Sequence, residues 1–211
     1  MINITNIKTG KIGAVITGLS VVVFALSMFI GYAADIYTAY VSYFVCMLIA
    51  IGYILFAAAI TASNGNKQTK AAGLAAVAFA SVYAVLIFIV YFAMLTTVRL
   101  NGILSYEAMS IINYDYVGSL FFNYDLLGYG FMAVSTFFIG FAVEPNNKGD
   151  KALRVLLWVH GVFFLPCIIM PMTGVFTSDT NPIIGTALLE IWCLFFLPIC
   201  ILGWRYFKKN A

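Results

Sequence analysis

Residues 71–97 read AAGLAAVAFASVYAVLIFIVYFAMLTT, flanked by Lys70 and Arg99, and no side chain in the run carries a charge. A helix needs about 20 such residues to cross the hydrocarbon core of a bilayer. Five further runs are also long and apolar enough, approximately 12–33, 39–62, 126–143, 152–175 and 182–204. They are continuous rather than alternating, so they do not read as strands of a membrane barrel. The expected fold is an all-α, polytopic transmembrane bundle of six helices, one transmembrane domain over 1–211. Composition agrees. Hydrophobic residues make up 64% of the chain and charged residues 9%, against about 45–50% and roughly 25% in soluble domains. A soluble fold of this length could not hide so much apolar surface, so lipid is the expected solvent and partner.

The charges orient the bundle. Lys8 and Lys11 precede the first span, and Lys67 and Lys70 lie between the second and third. Lys148, Lys151 and Arg154 open the fifth, and Arg205, Lys208 and Lys209 follow the core of the sixth. With an even number of spans all ten fall on one face, and only Arg99 falls on the other. Asp35, Glu107, Asp115, Asp125 and Asp179 read as outer-loop residues. Cytoplasmic loops carry the excess of Lys and Arg. The chain therefore reads as a multi-pass protein of the cell membrane with both termini cytoplasmic. Gly31-Tyr32-Ala33 is a passable signal-cleavage site. The apolar run before it exceeds the usual 7–15 residues of a signal core, so the segment reads as the first span. No basic stripe interleaved with aromatics suggests nucleic acid.

Smaller patterns carry two readings each. Lys8/Lys11, Lys67/Lys70 and Lys148/Lys151 repeat a K-x-x-K pair, and the last two share N-K-x-x-K-A at 66–71 and 147–152. Residues 25–33 also resemble 133–142 with one gap. These fit either an internal hairpin repeat or the recurrence of short basic loops in any positive-inside protein. Ala72, Ala76, Ala80 and Ala84 stand at i,i+4 spacing, which lets helix backbones approach closely. That face is expected against another helix, in this chain, in a homo-oligomer or in a membrane-protein partner. Residues 98–125 form the one long outer excursion, with Leu104, Ala108, Ile111 and Ile112 on one helical face. An amphipathic helix in the interface is expected, its tyrosines serving as an aromatic belt or as a lid over an outward cavity.

Two ionisable groups lie deep in spans, His160 in the fifth and Glu190 in the sixth. A charge near the bilayer centre costs about 2.5–3.5 kcal/mol on insertion scales, so each needs a partner or a purpose. Thr186, Ala187, Glu190 and Cys193 share one helical face, a small polar stripe expected to face the bundle. A desolvated Glu190 is either a structural hydrogen-bond donor or a proton acceptor on demand. The 1.5 Å rise per residue leaves roughly 10 Å between His160 and Glu190 along the normal, so a bridge through water or a tyrosine such as Tyr129 is expected rather than direct pairing. Pro166 and Pro171 interrupt the fifth span and Pro198 the sixth, each freeing a carbonyl four residues back. Kinked helices beside buried polar groups line cavities in many carriers.

Enzyme signatures are missing from the sequence. One histidine excludes H-E-x-x-H and bis-histidine haem, and there is no Walker A loop and no G-x-S-x-G. Tyr114-Asp115 and Tyr124-Asp125 look like half of an intramembrane aspartyl-protease pair, without the matching G-x-G-D. Cys46, Cys167, Cys193 and Cys200 all fall in spans with no C-x-x-C, so they read as small apolar residues rather than as a disulfide framework. No metal ligands and no cofactor are read from the chain. Its size, its six-span layout and the N-K-x-x-K-A loop before a Pro-containing fifth helix resemble small bacterial six-helix membrane proteins grouped as domains of unknown function. That resemblance implies the six-helix fold and no activity. The expected role is non-catalytic binding or transport of a small amphipathic or protonatable ligand near spans five and six, by Glu190 with His160, Thr186, Cys193 and Tyr129. The alternatives are an accessory subunit of a membrane complex and a lipid-modifying enzyme.

Overall fold

The computed structural model describes residues 4–34, 37–100, 102, 104–176 and 182–209, the side chains of 182–184 apart. Asp35 and Asp179, read as outer-loop acids, lie outside the described residues. The elements in order are α1 (Ile4–Ala34), α2 (Ala39–Ser63), α3 (Lys70–Ala93), α4 (Tyr106–Ile112), α5 (Leu120–Ala142), α6 (Lys148–His160), α7 (Phe164–Met172) and α8 (Pro182–Lys209). Among the described residues there is no strand. Six helices, α6 and α7 counted as one, are long and apolar enough to cross a membrane.

The spans form a ring in chain order. α1 lies on α2, α2 on α3, α3 on α5, α5 on α6 and α7, and α8 returns from α6 to α1. Alternate spans run in opposite senses, so both termini reach one end. There Asn6 donates to the Ala62 carbonyl (3.3 Å) and the Gly65 N–H to the Glu144 carboxylate (3.0 Å). The basic loops meet at this end. Arg99 stands at the other, its guanidinium 4.9 Å from the Tyr40 ring centre.

Close approach of helices rests on small residues, as lipid-facing bundles require. Gly13 and Gly52 bring α1 and α2 into backbone contact. A Cβ on Gly52 would fall 2.7 Å from the Thr17 nitrogen and 2.9 Å from the Gly13 carbonyl oxygen. The alanine face of α3 is occupied inside the chain: Ala76, Ala80 and Ala84 are buried and Ala72 is half-buried. The Ser135 hydroxyl of α5 donates to the Ala76 carbonyl (2.6 Å) and accepts from the Tyr53 hydroxyl of α2 (2.8 Å). One buried serine thus joins three spans.

Element ends differ from the sequence reading in ways that matter for the site. α5 begins at Leu120, not at 126, because the Ser119 hydroxyl caps it by accepting from the Phe122 N–H (3.1 Å). Asp125 is therefore inside a span rather than in the outer loop. Before α5, the described residues of the outer segment 98–125 hold one short helix, α4, capped by Ser105 and with none of its residues buried. A π turn at Met94–Val98 precedes it. The fifth span breaks at a 3-10 turn, Gly161–Phe163, just before Pro166. α8 is continuous through Pro198, so that proline does not interrupt the sixth span as expected.

Gly52→Val should destabilise the protein by about 1–3 kcal/mol, the scale of overpacking, because no side-chain rotation moves a Cβ away from backbone. Thermal unfolding in mild detergent reads this. An unchanged midpoint would show that α1 and α2 are not in this contact.

Candidate ligand cavity

Three helical stripes converge on one chamber of about 200 Å³. α5 contributes Phe122, Asp125, Leu126 and Tyr129. The fifth span contributes Phe163, Pro166, Cys167 and Met170, and α8 contributes Gly185, Leu188, Leu189 and Trp192. Each set has i, i+3, i+4, i+7 spacing, one face of an α-helix, and α8 adds Ile191 beside it. The chamber exists because the fifth span changes course. α6 rests on both α5 and α8, while α7, beyond the 3-10 turn, rests chiefly on α5. The outer halves of α7 and α8 are thereby left apart.

His160 forms the inner end. Its Nε2 lies 3.0 Å from Trp192 Nε1 and its Nδ1 lies 2.8 Å from Thr136 Oγ1. An indole N–H only donates, so Nε2 accepts and the ring carries its proton on Nδ1. That N–H then donates to Thr136, whose hydroxyl donates on to the Ala133 carbonyl (2.8 Å). The bonding order assigns a neutral imidazole with both nitrogens engaged. His160 is buried and ties α5, α6 and α8 together. Tyr129, expected as a bridge, is a wall. Its hydroxyl donates to Cys46 Sγ (3.6 Å), and its ring meets Trp192 edge-on at 5.3 Å.

Asp125 is the exception in this wall. It is 3% exposed, and its Oδ1 is shielded with no hydrogen-bond partner. The Tyr91 hydroxyl is a hydrogen-bonding neighbour of the carboxyl group. A bare buried carboxylate oxygen is costly, and such groups call for a specific explanation. The sequence reading passed over Asp125 because apolar composition alone placed the helix start one residue beyond it. The signals that find it are Ser119 at the cap position and the helical spacing of Phe122, Asp125, Leu126 and Tyr129.

The other expected residues are dispersed. Glu190 lines neither this chamber nor the next. It is partly exposed, though its Oε1 is shielded and without a hydrogen-bond partner. Cys193 is buried beside Trp192 without lining the chamber, and all four cysteines are free. Thr186 lines a second, outer chamber of about 380 Å³. The two chambers share Tyr114 and Leu189 as walls. Tyr114 is held there by its N–H on Met94 Sδ (3.3 Å) and by ring contact with Tyr91 and Tyr43. In the outer chamber the Asp115 carboxylate accepts from the Tyr37 hydroxyl (3.3 Å) and from that of Tyr43. Burial, reinforced by Asp115, pushes the Tyr37 phenol up to about 12, so it stays a donor at neutral pH. Among the described residues no group of three or more His, Cys, Asp or Glu could hold a metal ion.

Comparison with protein-family models, with curated proteins and with solved structures returns no match for this chain.

Trp192→Phe keeps the ring that stacks on Phe196 but removes the donor to His160. We expect a loss of about 0.6–2 kcal/mol, the range of interhelical hydrogen bonds in membranes, read as a lower unfolding midpoint in detergent. Trp158→Phe is the comparison. Trp158 Nε1 has no hydrogen-bond partner, so that variant loses no bond. Equal effects of the two changes would show that the Trp192–His160 bond contributes nothing.

Proposed function

We propose that this chain is a non-catalytic membrane protein that binds, and in doing so carries or senses, a small amphipathic or protonatable ligand. The ligand occupies the chamber between α5, the fifth span and α8. Asp125 carries this reading: it is a shielded carboxyl group with one oxygen unpartnered, in a wall otherwise built of aromatic and aliphatic side chains. Ligand sites have this composition, an apolar concavity with few placed polar groups, and an intramembrane ionisable residue is a functional-site hypothesis by default. His160 supports the site by fixing Trp192 and Thr136 rather than by touching the ligand through a free nitrogen. Glu190, outside both chambers, falls away from the binding set. The protein sits in the cell membrane with the basic end, and so both termini, in the cytoplasm; gathering ten of its eleven Lys and Arg residues at that end supports this through the positive-inside rule.

Native mass spectrometry of the detergent-purified protein tests the site. The wild type and Glu190→Gln should release the same discrete small mass, and Asp125→Asn should lose it. Loss in Glu190→Gln alone would return the site to the sixth span, and an empty spectrum in all three would remove the ligand. Orientation is tested in intact cells with a membrane-impermeant thiol reagent on a background cleared of the native cysteines. Ser105→Cys should be modified from outside, and Asn66→Cys should be modified only after lysis. The reverse pattern would invert the topology.

A further inference from the structure

The polar groups around the chamber favour one chemistry. His160 has both nitrogens bonded, and the Tyr129 hydroxyl is directed to Cys46. Tyr114 and Cys167 bring a hydroxyl and a free thiol to the wall, and Asp125 Oδ1 is the shielded acceptor there without a donor. Among the described residues no Lys or Arg lines the chamber. An anion would face the carboxyl group with nothing to offset it. A purely apolar guest would leave the oxygen as bare as before. A guest that brings its own N–H donors and positive charge satisfies it. The walls suit the same guest, since Tyr129 and Trp192 present ring surface that attracts cations.

Size narrows the class. An apolar cavity of about 150 Å³ accommodates benzene, and this chamber measures about 200 Å³. It holds one ring, or a short alkyl group of similar bulk, plus one or two further heavy atoms. The route is also marked. The outer chamber places a second carboxylate, Asp115, on the far side of the shared Tyr114 wall, so acidic groups stand in series from the outer end inward.

We propose, building on the ligand-binding reading above, that the guest is a small protonated primary or secondary amine. Its ammonium group bonds Asp125 Oδ1, its aryl or short alkyl group fills the space against Tyr129 and Trp192, and it arrives from the outer chamber past Tyr114.

Isothermal titration of the purified full chain at neutral pH, with benzylamine, benzyl alcohol and benzoate as probes of one shape and three charges, tests this. Benzylamine should bind about tenfold or more tighter than benzyl alcohol, the scale of a charge-assisted hydrogen bond in a desolvated site, and benzoate should not bind. Asp125→Asn should remove the preference for benzylamine while retaining binding of benzyl alcohol, which also shows that the variant is folded. Leu188→Trp, which fills the chamber without touching the carboxyl group, should abolish binding of all three. Equal affinity of wild type for benzylamine and benzyl alcohol would overturn the ammonium class and leave a ligand cavity standing. Preference for benzylamine that persists in Asp125→Asn would overturn the role of Asp125. Failure of all three probes to bind wild type would overturn both the amine and the cavity.

Discussion

Within a hydrocarbon slab a polar group has only other protein groups to bond, and the architecture follows from how His160 meets that condition. Its two ring nitrogens reach a tryptophan on α8 and a threonine on α5. The histidine closes α6, so the bond to Trp192 fixes where the inner half of the fifth span sits against the sixth. The chain then passes through the Gly161–Phe163 turn, and Gly161 is required there. A Cβ at that position would fall 2.7 Å from Phe137 Cβ, so any larger residue would push the span off α5. Beyond the turn α7 has no buried residue, and α7 and α8 both line the chamber. Cavity and clasp are two consequences of one arrangement.

The contrast with Asp125 separates structural from functional polarity. Ser135, Thr136 and His160 are all buried, and each has its bonds completed by protein. Each stabilises by modest amounts, since interhelical hydrogen bonds in membranes average about 0.6 kcal/mol. Leaving a buried acceptor unmet costs more than a met one contributes. The Tyr83 hydroxyl, Trp158 Nε1 and Glu190 Oε1 are also shielded and unmet, but Asp125 is the one of these residues that stands in the chamber wall.

The six spans were legible because lipid imposes a length of apolar chain that no other environment demands, and runs such as 71–97 meet it without ambiguity. The alanine spacing of α3 was equally readable as a packing face, although only the fold shows that α5 occupies it through Ser135 and Ala76. Asp125 escaped because composition sets a span boundary at the first polar residue, whereas a helix begins where its N–H groups find a cap, here Ser119. Glu190 drew attention for the converse reason. A charge in an apolar run stands out, but the inward face of α8 is decided by its bulkiest residues. Trp192, Cys193, Phe196 and Ile199 are buried, and they rotate Glu190 to the flank of the helix. Thr186 stays on the stripe it was expected to occupy, one chamber further out.

Anchoring is uneven around the site, and the unevenness has a direction. α5 buries residues along its whole length, and α8 is fixed by Trp192 and Phe196 on one side of His160. α7 has no buried residue at all, and its Met172 is 80% exposed. Local opening takes the least free energy where few buried contacts hold a segment. Of the three helical elements around the chamber, α7 is therefore the one most easily displaced. Its inner side adjoins the His160 bonds to Trp192 and Thr136. A guest that pairs with Asp125 meets a rigid floor at His160 and a yielding side at α7, so adaptation to guests of different bulk falls on Pro166, Cys167 and Met170 and leaves the carboxyl group in place.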